Sequence, residues 1–149
     1  MKNSRYNGTT ARANPLLILP FLFLLQGCGL FSNDEVARVA SPDSKLEAVV
    51  FQRDCGATTG FSTQVSVVPK GSPLPDQGGN VFVADTDHGK APSASWGGPP
   101  VDVAWSSQRT LKLVTHPEAR TFHKESSVSV STGLLRSEEI TVEYVLKGP

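Results

Sequence analysis

Apolar and polar residues alternate over short stretches along most of the chain, and turn-forming residues separate these stretches. The clearest case is "GFSTQVSVV" (Gly60–Val68), in which Phe, Thr and two Val side chains fall on one face and Ser and Gln side chains on the other. Alternation with a period of two predicts β-strands. The predicted strands are Lys45–Arg53, Gly60–Val68, Asn80–Ala84, Val101–Trp105, Leu111–Thr115, Arg120–Lys124, Ser127–Ser131 and Glu139–Leu146.

Helical periodicity is confined to "GLLRSEE" (Gly133–Glu139), which predicts a helical turn or two. Segments Pro69–Asn80 and Asp87–Pro100 are rich in Gly, Pro and Asp and are predicted as long loops. Short strands between turns predict an all-β fold, a small antiparallel sandwich or a partly open barrel of about six to eight short strands. The side chains predicted to face the core are Val50, Val65, Val67, Val103, Trp105, Leu113, Val142 and Tyr144.

The N-terminal segment follows a different pattern. Lys and Arg residues, with no acidic residue among them, precede an apolar stretch from Pro15 to Leu25. A basic start, a short apolar centre and a small residue after it are typical of an export signal. A membrane-spanning helix needs about 20 apolar residues, roughly twice the length of Leu16–Leu25. Residues 1–27 are therefore predicted to be a signal peptide rather than a permanent span.

The tetrapeptide "LQGC" (Leu25–Cys28) resembles the lipobox of bacterial lipoproteins. The resemblance implies that the Cys28 sulfur carries diacylglycerol, that cleavage occurs before Cys28, and that the new amine is acylated with a chain such as palmitate. The alternative is an ordinary secretory signal with an unmodified cysteine. Stable anchoring needs more than one acyl chain, at about 0.8 kcal/mol per buried CH₂. In Gram-negative lipoproteins Asp after the Cys favours the inner membrane, so Gly29 favours the outer membrane if the source is Gram-negative.

Cleavage before Cys28 would leave 122 of the 149 residues and remove three basic residues, so that 11 basic and 14 acidic residues remain, a net charge of −3. A chain of that size forms one domain. The predicted organisation is a signal peptide over 1–27, the lipidated Cys28 and a short tether over 28–41, and a single β domain over 42–149. Because no basic cluster occurs, nucleic acid is not predicted as a partner. Export predicts a location in the cell envelope, facing the periplasm or the exterior.

Two blocks of the body, "CGATTGF" (Cys55–Phe61) and "GNVF" (Gly79–Phe82), carry a second resemblance. They resemble blocks shared by a family of small uncharacterised bacterial proteins, many of them exported. The resemblance extends over Ser41–Ser107, roughly the middle half of the body. It implies no activity, ligand or catalytic residue.

Cys55 is the one cysteine that remains once Cys28 carries lipid. Three interpretations stay open: a buried thiol that packs like a small hydrophobe, an intermolecular disulfide, and a reactive nucleophile. A reactive thiolate needs a nearby cation or a helix N-terminus. Because Asp54 follows Arg53 and no helix follows Cys55, the sequence favours the structural thiol.

The residues after Cys55 are predicted to form a hairpin connection over Asp54–Gly60, which is a candidate functional or structural loop. Gly56 and Gly60 can adopt positive φ, and Thr58 and Thr59 can hydrogen-bond to local backbone groups. Exposed aromatic residues on loops are typical of interfaces. Phe61 and Trp96 therefore make this region a candidate edge for binding a partner.

Catalytic and metal signatures are weak. "DTDHG" (Asp85–Gly89) resembles the opening of a calcium loop but lacks the later oxygen ligands, so a polar turn is predicted. His116 and His123 would point to opposite faces of one strand, which does not suit zinc. Neither Gly-x-Ser-x-Gly nor Ser-x-x-Lys occurs. No catalytic residue, metal or cofactor is assigned.

Together these features predict a lipid-anchored envelope protein with a non-catalytic binding or structural β domain. Its predicted partners are the membrane, through lipid on Cys28, and an envelope protein. The alternative is a small periplasmic inhibitor or a thiol-dependent enzyme that uses the Cys55 loop.

Overall fold

The structure, a computed structural model, describes residues 32–54, 60–74 and 76–148. These residues form nine β-strands. No helix long and apolar enough to span a bilayer occurs within those three ranges. The strands are β1 (Asn33–Ala40), β2 (Leu46–Arg53), β3 (Ser62–Pro69), β4 (Phe82–Asp85), β5 (Val101–Ser107), β6 (Thr110–Thr115), β7 (Arg120–Lys124), β8 (Ser127–Gly133) and β9 (Arg136–Leu146).

The strands form two sheets that pack face to face as an open sandwich. The first sheet has the order β1-β2-β3-β4-β7 and the second has the order β5-β6-β9-β8. All neighbouring strands are antiparallel except β6 and β9, which run parallel. The predicted all-β sandwich is confirmed. The predicted number of six to eight strands is wrong, because the described residues form nine.

β1 accounts for the difference in strand number. Residues 33–40 were assigned to the tether, but they pair with β2 from Asn33 opposite Arg53 to Ala40 opposite Glu47. A register shift between Glu35 and Ala37 interrupts the pairing. That bulge removes the alternation of apolar and polar residues that identifies a strand in the sequence.

The helical turn predicted over Gly133–Glu139 is also wrong. β8 and β9 are joined there by a tight turn, with Gly133 opposite Arg136. Leu134 and Leu135 form the tip, and both side chains are fully exposed. Leu and Glu favour helices, but helix propensity is a weak effect, and pairing of the two strands overrides it.

The core lies between the two sheets. All eight side chains predicted to face inward belong to it or pack against it: Val50, Val65, Val67, Leu113 and Val142 are buried, and Val103, Trp105 and Tyr144 are partly buried. Trp105 also joins the sheets, because its Nε1 donates a hydrogen bond to the carbonyl of Val39 at 2.9 Å. The predicted strand register is therefore confirmed.

The loop after β3 covers the outer face of the first sheet. Leu74 packs against a small second cluster of Val49, Phe51 and Val68. Further along, the backbone amide of Gly79 donates to Gln64 Oε1 at 2.7 Å, so this inner part of the loop is held by a buried side chain. Both faces of β3 are consequently buried, although the alternation in its sequence predicted one polar, solvated face.

The two ends of the sandwich differ in what they carry. At the entry end the chain enters β1, and Asn33, Arg53 and Ser62 lie side by side across three strands. At the far end lie the turn between β1 and β2 and the β8–β9 tip. An ion pair from Lys45 Nζ to Glu138 Oε1, at 3.7 Å, links those two turns.

Candidate functional site

Most residues of the predicted Cys55 loop lie outside the described residues, as does the predicted lipidation site Cys28. This applies to Cys55, Gly56, Thr58 and Thr59. The structure does describe Gly60, which is exposed and has no neighbouring atom within 4 Å of where a Cβ would lie. Because β2 and β3 pair antiparallel, with Arg53 opposite Ser62, the loop is the predicted hairpin connection.

The structure brings Phe61 and Trp96 together at the entry end. Trp96 Nε1 donates to Thr63 Oγ1 at 2.8 Å, and the same hydroxyl donates to the carbonyl of Pro99 at 2.6 Å. Thr63 is fully buried, so these two hydrogen bonds fasten the second long loop onto the start of β3. The sequence predicts that the two aromatic residues share one region, but it does not show that a buried threonine connects their segments.

Gly97 and Gly98 allow this close packing. Gly97 has a φ of +90°, and a Cβ on it would lie 2.5 Å from Phe61 Cδ2. A Cβ on Gly98 would lie 2.4 Å from Thr63 Oγ1. The Phe61 ring thus packs against glycine backbone, and Phe61 remains 42% exposed. The result is a fixed aromatic surface, formed by Phe61 and Trp96, beside the loop that contains Cys55.

A polar turn follows β4 next to this surface. Asp85 Oδ1 accepts a hydrogen bond from the Asp87 amide at 2.8 Å, and Asp87 and His88 have φ of 46° and 58°. Lys90 Nζ donates to Asp87 at 2.6 Å, which lowers the pKa of the Asp87 carboxyl and raises the pKa of Lys90. Arg120 pairs with Asp85 across the sheet edge. The sequence prediction of a polar turn at Asp85–Gly89 is confirmed.

An open groove of about 510 Å³ lies on the other side of the second long loop. Its charged lining consists of Lys90, Asp102, Glu118 and Lys147, together with His116. His116 is buried, and its Nδ1 accepts a hydrogen bond from the Glu118 amide at 3.3 Å, which leaves the proton of the neutral ring on Nε2. Charges of both signs line the groove, so it does not select for an anion or a cation.

The histidines are not gathered into one site. His123 lies on β7 with its Nε2 3.4 Å from the Asn80 carbonyl, and His88 is exposed on the polar turn. Among the residues that the structure describes, no three His, Cys, Asp or Glu side chains are placed to hold a metal ion. His116 places a buried imidazole in the groove, and its Nδ1 accepts from the Glu118 backbone amide.

The groove could not be predicted from the sequence. Its lining comes from the second long loop, β5, β6 and the C-terminal residues. No local pattern marks such a set, because the residues meet only when the second sheet forms. The exposed Phe61 and the loop Trp96 were found since an aromatic residue in a Gly-rich loop is a local signal.

No protein-family model matches the chain, and neither a curated protein nor a solved structure matches it.

Proposed function

We propose that the protein is a lipid-anchored envelope protein whose sandwich binds a partner at its entry end without catalysis. The anchor rests on the order of basic start, short apolar stretch and "LQGC" at residues 25–28. The single observation that carries the binding role is the aromatic surface of Phe61 and Trp96. The Trp96 side chain is held by the buried Thr63 hydroxyl and the Phe61 ring packs against Gly97, so both would bind a partner with little loss of conformational freedom.

The length of the tether supports this choice of surface. β1 begins at Asn33, so five residue steps separate it from Cys28. At about 3.6 Å per residue, the tether spans no more than about 18 Å. With lipid on Cys28, the entry end would lie close to the membrane, and the aromatic surface would meet a partner that is itself at or in that membrane.

Anchoring is tested by metabolic labelling with palmitate. Cys28→Ala should abolish the label and leave an unprocessed precursor, because both acylation and cleavage require the Cys28 thiol. Cys55→Ala serves as the matched control and should be labelled and processed normally. If Cys28→Ala is still labelled and matured, the lipoprotein assignment is wrong.

Binding is tested by crosslinking in intact envelopes followed by capture of the protein. Phe61→Ala should reduce the amount of captured partner, because the exposed part of that ring contributes to the interface. The fold should tolerate the substitution, because the backbone conformation at residue 61 does not depend on the side chain. Val145→Ala is the control, since Val145 is an apolar β9 residue that is 41% exposed, close to the 42% of Phe61. Equal capture by both variants would show that the aromatic surface is not the binding site.

A further inference from the structure

One edge of the second sheet lacks the charged residues that usually keep sheet edges from pairing. Among the described residues, β8 has β9 on one side and no strand on the other. β8 reads "SVSVSTG" and carries no charge, and its register irregularity lies beside the turn, after Ser131. The other edge strands do carry charges: Asp34, Glu35 and Arg38 in β1, Asp102 in β5, and Arg120 and Lys124 in β7.

The regular part of β8 is also a palindrome. Residues 127–131 read Ser-Val-Ser-Val-Ser in both directions. In an antiparallel pair, residues directly opposite each other point to the same face. Two copies of β8 paired antiparallel about Ser129 would therefore match Ser127 with Ser131, Val128 with Val130, and Ser129 with itself.

The burial of these side chains fits that pairing. Val130 is buried in the core and Val128 is partly buried against it, while the three serines are exposed. An added strand on the open edge would place a second Val beside each Val and extend the core across the junction. The exposed serines would form a neutral row on the outer face. Nothing in this arrangement buries a charge.

We propose that β8 is a self-association site, at which the β8 strands of two copies pair antiparallel in the register centred on Ser129. The two second sheets then form one continuous sheet about a two-fold axis, which is the commonest symmetry for a soluble homodimer. The unpaired amide and carbonyl groups of the β8 edge are satisfied by the partner strand. This proposal does not depend on the lipid anchor or on the aromatic surface.

The exposed apolar residues near β8 lie where this register would use them. In this register, the numbers of two residues that lie opposite each other add up to 258. The tip between β8 and β9 of one copy therefore extends past the end of the partner's β8, toward the corner that follows the partner's β7. Leu134 and Leu135 form the tip, and both side chains are fully exposed. One exposed apolar tip thus flanks the paired strands at each end of the junction.

The test is disulfide crosslinking of the full chain with Cys55→Ser as the parent background. Ser129→Cys should give a dimer under oxidation, because that residue lies opposite itself. Ser127→Cys alone should not, since its copy in the partner lies four residues along the strand, about 14 Å away. A mixture of Ser127→Cys and Ser131→Cys chains should crosslink. The parent chain is the control for any dimer that forms through Cys28.

The pattern of the bands decides the matter. A dimer from Ser129→Cys and from the mixture, with none above the parent level from Ser127→Cys alone, supports the register. Equal bands from Ser127→Cys and Ser129→Cys would overturn it, and so would the absence of a dimer from Ser129→Cys.

A second variant tests the association without a crosslink. Ser129→Lys places two like charges opposite each other at the centre of the junction, where the side chain is exposed in the single copy. In sedimentation of the full chain in detergent we expect a shift from the dimer mass to the monomer mass, with the β-sheet signal in circular dichroism retained. A parent chain that sediments as a monomer, or a Ser129→Lys chain that remains a dimer, would contradict the proposal.

Discussion

Gly79 occupies a position where the backbone itself fills the space that a side chain would need. A Cβ on Gly79 would lie 2.6 Å from the Phe82 carbonyl oxygen and 2.8 Å from that of Val65. The next residue, Asn80, hydrogen-bonds to β3 through its side-chain amide, in the way that a neighbouring strand would through its backbone. Its Oδ1 accepts from the Val67 amide at 2.9 Å and its Nδ2 donates to the Val67 carbonyl at 3.0 Å. The pair Gly79-Asn80 therefore extends the β3 ladder beyond β4.

This packing predicts that alanine substitutions at two adjacent glycines change the stability of the fold by different amounts. Gly79→Ala should lower the free energy of unfolding by about 1–3 kcal/mol, because rigid backbone atoms must move to admit the methyl group. Gly78→Ala should change it little, since a Cβ there meets only the Gln64 Oε1 atom at 3.4 Å. Urea denaturation of both variants measures the difference. Equal midpoints for the two variants would mean that the loop relaxes freely around residue 79.

Single residues could be predicted from the sequence only where the signal was local. The block "GNVF" drew attention to Gly79 and Asn80 through a resemblance, but the reason for the glycine is contact with strand residues on either side of it in space. Thr63 was predicted to face inward with its strand, as it does. That its hydroxyl would hold Trp96 Nε1 and the Pro99 carbonyl could not be predicted, because the contact spans more than thirty positions.

Strands were predictable where one apolar face alternates with a polar one, as in β5, β6 and β9. β1 could not be predicted, because its first residues, Asn33, Asp34 and Glu35, are polar and a bulge then shifts the pattern. The segment after Gly133 failed for the opposite reason, since its Leu and Glu residues favour helix locally while strand pairing decides the outcome. Both errors arise from pairing partners that are distant in the chain.

Tyr144 joins the two sheets through its hydroxyl group. The side chain lies on β9 of the second sheet, and its Oη lies 2.9 Å from the Glu125 carbonyl and 3.1 Å from the Val81 carbonyl. The ring packs against Phe82 with 6.0 Å between the ring centroids, and Lys124 Nζ lies 4.3 Å from the centre of the tyrosine ring. The hydroxyl can donate to these carbonyls only while it keeps its proton.

The stability of the sandwich should therefore fall in alkaline solution. Burial raises the pKa of Tyr144 from 10.0 to about 12 in the folded chain. Because the pKa is higher in the folded chain, the protonated hydroxyl stabilises the folded state fully at pH values below the pKa of the unfolded chain. This stabilisation is lost as pH rises from about 10 to about 12. The loss should be about 1–2 kcal/mol, because a pKa difference of about two corresponds to about 2.7 kcal/mol and the partly buried side chain is partly screened by solvent.

The measurement compares unfolding free energies of the parent and Tyr144→Phe chains over that pH range. Phenylalanine keeps the ring contacts and removes the ionisable group, so the difference between the two curves isolates Tyr144. The parent should lose its advantage over Tyr144→Phe as pH rises. A difference that stays constant from pH 9 to pH 12 would show that the hydroxyl does not titrate as described.

At the scale of the whole molecule, the entry end and the far end should differ in how reagents reach them. The tether of at most about 18 Å holds the entry end near the bilayer when Cys28 carries lipid. In envelopes, a bulky membrane-impermeant maleimide should therefore label Phe61→Cys more slowly than Leu135→Cys, both in a Cys55→Ser background.

Detergent solubilisation provides the control, because it removes the bilayer and should bring the two labelling rates closer together. A Gly-Ser spacer inserted after Leu30 should do the same in intact envelopes, since it lets the entry end move away from the lipid surface. If Phe61→Cys and Leu135→Cys are labelled equally in envelopes without a spacer, the entry end does not face the bilayer.

The direction of β8 has a further consequence for a molecule attached in this way. β8 runs along the line from the entry end to the far end, so its open edge faces sideways when the entry end rests on the bilayer. Attachment would confine all copies to one plane and raise their effective concentration above that in solution. The β8 pairing would then be more complete on the membrane than in detergent, and the amount of protein per area of membrane would set the fraction of copies that are joined.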